Sequence, residues 1–544
     1  MLDIIIKNGK IITGAGNPWF YSDVSVKDGY ITRIGKTLKD AKTVLDAKGY
    51  AVTPGVIDLH DHSDLTILAD REATSKVHMG VSTTVFASCG SGAAPLNDEL
   101  REEVRREAPF LKSSGVDVSW STVEEYLSFL ESDGLSINVA PLVGFGSVRK
   151  YVMGMEMRAP SDAELESMKH EIDVAMRAGC RGITTGLRYD PQSYATTEEV
   201  VEVTKVAAKY GGFYTSHVRD EGDRGDPVSA IEEIITIARD AEIPVNISHF
   251  KVLSKRFMHL APKLVEMVNK AREEGLQVTA DQYPYNASGT GLSAWIPKWA
   301  NEGGPKELLK RLQDPEVYEK IKEGLAVSMD DRGGPEAALI SSYPLDAGLV
   351  GLNIAEVSQK RKQEPLDCAL GLLKEHTEAI QSGKVKGSFS IVNFNQSEEN
   401  IELIMKQPWV AFGTDGRVHK PEGVLNRDMP APHPRFYGTF PRVLGRYVRE
   451  KHVLTLEDAV RKMTSLPAQT LGLRDRGVLL PGNQADIMVF DPEIVIDKAD
   501  FVPPEATKLF PEGILHLIVN GKLTLHDKEH TGARAGKVLR KPVD

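Results

Sequence analysis

Apolar and polar residues alternate through the first fifty positions, in "DIIIKNGKIIT", "DVSVKDGYITRIG" and "TVLDAKGYAVTPG". A period of two is the signature of strands with one buried face. Asn8-Gly9 and Asp28-Gly29 fall inside these runs, and such pairs predict hairpin turns. The C-terminal end has the same style in "ADIMVFDP" and "GILHLIVNGKLTLHD", with Asn520-Gly521 between two apolar runs. The two ends, 1–54 and 475–544, are therefore expected to form one small β-domain, a β-sandwich.

Between them the pattern changes to short, wholly apolar strands alternating with amphipathic helices. Eight strands are predicted: "GVIDLHDH", "STTVFASC", "INVAPLVG", "RGITTGL", "GFYTSH", "PVNISH", "LQVTAD" and "WVAFGTD". Helical stretches such as "DAELESMKHEIDVAMRAG" and "APKLVEMVNKAREEG" lie between them and stop near glycine. Eight successive βα units predict an α/β fold, a (β/α)8 TIM-like barrel over 55–474. Strands 7 and 8 are separated by far more chain than any other pair. The segment 286–406 is thus expected to be an insertion acting as a lid over the barrel mouth.

Composition changes this picture little. With 41% hydrophobic and 26% charged residues in 544, the chain is an ordinary globular one. A net charge of −11 argues against nucleic-acid and anionic-membrane partners, which need a basic face. No apolar run is long enough to span a bilayer, and the N-terminus reads as a strand, not a signal peptide. Three cysteines with no CxxC pair suit a reducing, cytoplasmic setting.

The strand ends carry the chemistry. In a barrel of this kind the C-terminal strand ends surround one mouth, where catalytic groups gather. Strand 1 ends in His60 and His62, two residues apart and so on one face. Strand 2 ends in Cys89, strand 5 in His217, strand 6 in His249 and strand 8 in Asp415. Imidazole and thiolate suit Zn2+, for which three protein ligands make a catalytic site. Six candidates predict two adjacent metal positions. Asp415 can ligate and can also act as general base. Each residue alone has a blander reading: a strand-end histidine is usually a hydrogen-bonded structural group, and a free cysteine a small buried apolar one. Six together leave little room for it.

The stretches "PGVIDLHDHSD", "VSTTVFASCGSGAAP", "TTGLRYDPQSYATTEE", "SHVRDEG", "ISHFKV", "DQYPYNA", "FGTDG", "HPRFYGTFPRVLGRYVRE", "KMTSLPAQTLGLRDRG" and "NQADIMVFDP" run in order along nearly the whole chain. On them the sequence resembles the amidohydrolase superfamily, and within it the N-acyl-D-amino-acid deacylases (D-aminoacylases). The resemblance implies a zinc enzyme that hydrolyses the linear amide of a small-molecule N-acyl-D-amino acid. It implies that Cys89 replaces the bridging lysine of other superfamily members. It assigns Cys89, His217 and His249 to a tight zinc site, and His60, His62 and Asp415 to a weaker one. It also points to Lys251, Tyr194 and Tyr283 as holders of the substrate carboxylate. Two positions depart from the pattern: Phe145 stands where a histidine is expected, and Phe250 follows His249. If they line the pocket, the substrate is more apolar or simply different. A cyclic-amide hydrolase of hydantoinase or dihydroorotase type is the alternative, and a non-catalytic scaffold is disfavoured by the complete ligand set.

Overall fold

The computed structural model describes residues 1–222, 225–429 and 431–542. The eight predicted barrel strands are all present: β1 (Val56–Asp58), β2 (Val81–Val85), β3 (Asn138–Ala140 and Val143–Gly144), β4 (Gly182–Gly186), β5 (Phe213–His217), β6 (Val245–Ile247), β7 (Val278–Gln282) and β8 (Val410–Phe412). They pair in parallel in chain order and are buried on both faces, as strands sheathed by helices must be. Pro141 splits β3, because proline has no N–H for the ladder. The first half of β3 pairs with β2 and the second with β4.

The barrel closes between β8 and β1 just beyond the strand ends. Asp415 donates its backbone N–H to the His60 carbonyl, and His62 donates to the Gly416 carbonyl, both at 2.8 Å. The two chains come so close that a Cβ on Gly413 would stand 2.6 Å from that of His60. This closure puts the ends of β1 and β8 side by side at the mouth.

Strands from both ends of the chain share one nine-stranded sheet, in which Ile487–Phe490 pairs antiparallel with Ala51–Pro54. Asp28-Gly29 and Asn520-Gly521 both turn with positive φ at the two residues and make the predicted hairpins. Asn8-Gly9 does not. The strand Leu2–Ile11 runs straight through it with a bulge, Asn8 taking φ 60°. A Cβ at Gly9 would lie 2.4 Å from Val52 Cγ2, so packing against a neighbouring strand decides the conformation there. The C-terminal tail then crosses the opposite end of the barrel, Leu539 N donating to Val139 O and Lys541 N to Gly179 O. Residues 543–544, the end of the expected β-domain, lie outside the described residues.

After β7 the chain builds a separate three-stranded antiparallel sheet, Ser288–Gly291, Ala338–Ser342 and Ser390–Asn393. Helices Pro315–Asp331 and Pro365–Gln381 accompany it, around a core of its own that includes Trp295, Leu325, Ile340 and Leu370. The segment's two ends meet where Gln396 N donates to Asn286 O.

Candidate metal centre

The strand ends bring Cys89 into the middle of three histidines. Its Sγ lies 3.4 Å from His60 Nε2, 3.5 Å from His249 Nε2 and 3.7 Å from His217 Nδ1. A sulfur and an imidazole nitrogen bound to one tetrahedral zinc stand about 3.6 Å apart, given bonds of roughly 2.3 and 2.05 Å. The donor set therefore has the spacing a zinc ion needs. Burial would push the Cys89 thiol up, but His60, His217 and His249 hold its pKa well below the usual range. It is a thiolate. Cys89, His249 and Asp415 all take positive φ, at 53°, 36° and 47°. Non-glycine residues pay about 1–3 kcal/mol each for such backbone, and strain of this kind collects at functional sites.

A second donor group adjoins the first. Asp415 Oδ1 stands 3.1 Å from His62 Nε2 and 3.6 Å from His60 Nε2, the separation of two light-atom ligands on one metal. Burial opposes the charge on Asp415, yet Arg435, His249 and His62 keep its carboxyl well below the usual carboxylate range. Behind the ligands, His60 Nδ1 is 3.3 Å from Asp281. Glu221 Oε1 lies 3.0 Å from His249 Nδ1, which Lys251 Nζ also approaches at 2.7 Å, and Glu221 faces His217 Nε2 at 3.5 Å. Carboxylates so placed fix the tautomer and ring direction of metal-binding histidines.

Beside this lies a cationic corner. Lys251 Nζ is 2.5 Å from Glu221 and 5.5 Å from the centre of the Tyr283 ring. Arg435 pairs with Asp415 Oδ2 at 2.9 Å and sits 4.7 Å from the same ring centre. The Arg435 Nε–H is buried with no hydrogen-bond partner. The Tyr283 hydroxyl accepts from Gln396 Nε2 at 2.9 Å, which leaves its own O–H to donate. Tyr194 is half-buried, and burial with Asp190 and Glu302 nearby pushes its phenol up. Tyr189 instead places its ring 4.9 Å from that of His217 and remains 40% exposed. Phe145 and Phe250 are largely buried, and Phe250 also borders a small cavity beside Glu221 and Lys251. Both are within the apolar core, Phe250 against Trp409.

Asp281, Glu221, Arg435 and Tyr189 escaped the sequence reading. Glu221 had one available signal, since it lies four residues beyond His217 in "SHVRDEG". Arg435 lies in the string "HPRFYGTFPRVLGRYVRE", but the helix that carries it starts 20 residues past Asp415 and returns to it only through tertiary packing.

A barrel with imidazole, thiolate and carboxylate donors at its mouth is the framework of a metal-dependent hydrolase. The sequence pattern of the amidohydrolase family matches residues 374–525. The chain is 32% identical to the D-aminoacylase of Alcaligenes xylosoxydans xylosoxydans over 540 residues, 99% of this chain and 97% of the relative. It superposes with a TM-score of 0.80 on the N-acyl-D-glutamate deacylase of Bordetella bronchiseptica, at 30% identity over 99% of both chains. That structure is described as complexed with zinc and a phosphonate mimic of the tetrahedral intermediate. A D-aminoacylase described as having a binuclear metal centre matches equally, at TM-score 0.80 and 30% identity over 99% of this chain and 100% of its own. A D-hydantoinase shares the fold only, at TM-score 0.56 and 15% identity over the full length of both chains. The chain belongs to the D-aminoacylase family of amidohydrolases.

Proposed function

We propose that the protein hydrolyses the amide of N-acyl-D-amino acids, releasing a D-amino acid and a carboxylate. The observation that carries this reading is the pairing of a zinc-spaced Cys-His-His cluster with a corner of two cations and a tyrosine. An amide hydrolase needs the first, and a substrate with a free carboxylate beside the amide needs the second. A hydantoin or dihydroorotate ring asks for no such thiolate, and over its full length the chain is similar to a D-hydantoinase in fold alone.

Cys89, His217 and His249 would hold the tighter ion, and His60, His62 and Asp415 the weaker. Bound there, zinc supplies a Lewis acid that polarises the carbonyl and lowers the pKa of water. Asp415 takes the proton of the attacking water on Oδ1 and passes it to the leaving amine. Arg435 holds Asp415 by its other oxygen, and its free Nε–H, with Lys251 and the Tyr283 hydroxyl, receives the substrate carboxylate. Tyr189 closes the wall beside His217.

The segment 286–406 covers this mouth and touches the carboxylate corner through Gln396, with the barrel from 55 to 474 and the β-domain from the two ends as its frame. A cytoplasmic location goes with three free cysteines, one of them the thiolate ligand. Among the described residues no helix is long and apolar enough to cross a membrane.

The test is a panel of N-acetyl D- and L-amino acids with detection of the released amine, beside metal analysis of the purified protein. Turnover of D-substrates with bound zinc is expected. Hydrolysis of hydantoin or dihydrouracil, with N-acetyl-D-amino acids untouched, would replace this reading with the cyclic-amide one.

A further inference from the structure

The turn that carries Cys89 is held from outside itself. Ala87, Cys89 and Gly90 take positive φ, at 63°, 53° and 75°, a conformation that residues with a Cβ keep only when their surroundings impose it. The turn's own backbone contributes Ser91 N to Ser88 O at 3.2 Å. Strand β4 and the loop after it contribute more. The Thr184 hydroxyl donates to Ala87 O and accepts from Gly90 N, the latter at 2.9 Å. It bridges residues 87 and 90, where an ordinary turn has a direct carbonyl-to-amide bond.

Gln192 grips the same turn at the cysteine. Its Nε2 donates to Cys89 O at 2.9 Å, and its Oε1 accepts from Gly186 N at 2.7 Å. These partners fix which end of the amide is which, since a carbonyl only accepts and a backbone N–H only donates. The side chain is tightly enclosed: a Cβ on Gly90 would stand 2.1 Å from its Oε1, and one on Gly146 2.6 Å from its Nε2. The loop beneath it is anchored in turn. Buried Arg149 donates to Pro191 O at 3.0 Å and pairs with Glu199 at 3.0 Å. Thr184 and Gln192 are themselves buried, and their hydrogen bonds to the turn go to its main chain.

We propose that Thr184 and Gln192 are positioning residues of the metal centre. They hold the turn at 87–90 in its left-handed form, and so keep the Cys89 sulfur at ligand distance from His60, His217 and His249. Without them the turn relaxes toward ordinary backbone, and a rotation at Cys89 swings Sγ off the point where the imidazoles converge. A metal site tolerates little of this, because its bond lengths hold to about ±0.2 Å. The proposal rests on the reading of Cys89 as a metal ligand and names the residues that aim it.

The test is made without substrate, so it is independent of the reaction assigned above. Zinc affinity is measured by competition with a chelating dye. The protein loaded with Co2+ in place of zinc gives the thiolate-to-cobalt charge-transfer band in the near ultraviolet, which reports the sulfur–metal bond itself. Thr184→Val removes the hydroxyl at almost constant size, and Gln192→Met removes both hydrogen bonds of the amide. Each should weaken zinc binding by about 10–100-fold, as changes to groups that orient ligands do, and should shift or diminish the cobalt band. Thr184→Ser keeps the hydroxyl and should keep both readings near those of the wild type. A merely structural role predicts something else: a lower urea midpoint in Thr184→Val and Gln192→Met, with zinc affinity and cobalt band unchanged. That result overturns the proposal, as does failure to recover either of these two variants folded, which would make both residues part of the barrel's framework. A wild-type cobalt protein with no thiolate band removes Cys89 from the metal and the proposal with it. Failure of the deacylase reading looks different, because N-acyl-D-amino acids then go unhydrolysed while the band and its response to Thr184→Val remain.

Discussion

Lys76 Nζ lies 2.7 Å from Asp61 Oδ1 and 2.8 Å from Asp58 Oδ2, and none of the three side chains is reached by solvent. The same ammonium meets Thr414 Oγ1 at 2.7 Å, and Asp58 Oδ1 accepts from the backbone N–H of Thr414 and of His60. One buried lysine thus joins the His-Asp-His turn after β1 to the Thr-Asp turn after β8. The barrel seam there has few ladder hydrogen bonds, so side chains do the stitching between His60, His62 and Asp415.

Lys76→Met should accordingly be costly, because it leaves two carboxylates buried without their cation. Removing one partner of a buried pair typically costs about 3–5 kcal/mol. Urea unfolding would show that loss, and adding Asp61→Asn to the variant should return part of it. If Lys76→Met unfolds at the wild-type urea concentration, the ammonium is not what holds the seam.

Cys89→Ala should lose the tightly held zinc, because the thiolate stands within 3.4–3.7 Å of all three histidines around it. Atomic absorption after dialysis measures this directly. A Cys89→Ala protein with full zinc would mean that the imidazoles and Asp415 suffice.

The sequence made the barrel and the six strand-end donors readable because both depend on short-range pattern. Apolar runs mark the strands, and a change from apolar to His, Cys or Asp marks where each one leaves the core. The groups that orient those donors were not readable. Lys76 meets Thr414 across 338 residues and Asp281 meets His60 across more than 200, so only the closed barrel pairs them. Asn8-Gly9 failed for a related reason: the local signal for a turn was genuine, but a neighbouring strand overruled it.

Glu221→Gln should weaken zinc binding without emptying the fold. The carboxylate faces the outer nitrogens of both His217 and His249, and neutralising it removes the acceptor that fixes their direction. Changes to such partners commonly cost 10–100-fold in metal affinity or activity. Competition with a chelating dye would give the affinity ratio; equal zinc affinities in the two proteins would assign Glu221 to Lys251 alone.

His419 predicts an acid limb in stability. It is buried between Tyr437 OH at 2.6 Å and Met429 O at 3.1 Å, and burial lowers its pKa to about 4. An unfolded chain takes up that proton near 6.5, whereas the folded one does not until about 4. Stability is therefore complete above 6.5 and is lost as pH falls from there toward 4, by about 3 kcal/mol for this one group. The denaturation free energy of His419→Gln should change less between pH 7 and 4.5 than that of the wild type. Parallel pH curves would show that other groups set the acid limit.

The inserted segment offers the last test, at its contact with the carboxylate corner. Gln396 Nε2 donates to the Tyr283 hydroxyl at 2.9 Å and is the point where the segment reaches the proposed site. By filling an acceptor position on that oxygen it turns the phenol O–H away from itself, toward the space that Lys251 and Arg435 flank. Gln396→Leu removes the donor while keeping a similar size, so the hydroxyl is free to rotate and its bond to a substrate carboxylate weakens. A neutral hydrogen bond is worth about 0.5–1.5 kcal/mol net. KM for an N-acyl-D-amino acid should rise ~2–12-fold on that basis, with kcat and zinc content little changed, since nothing in the metal cluster touches Gln396. Steady-state kinetics with metal analysis separates the outcomes. A fall in kcat at constant KM would place Gln396 in the chemical step, and a loss of zinc would make the inserted segment part of the metal centre.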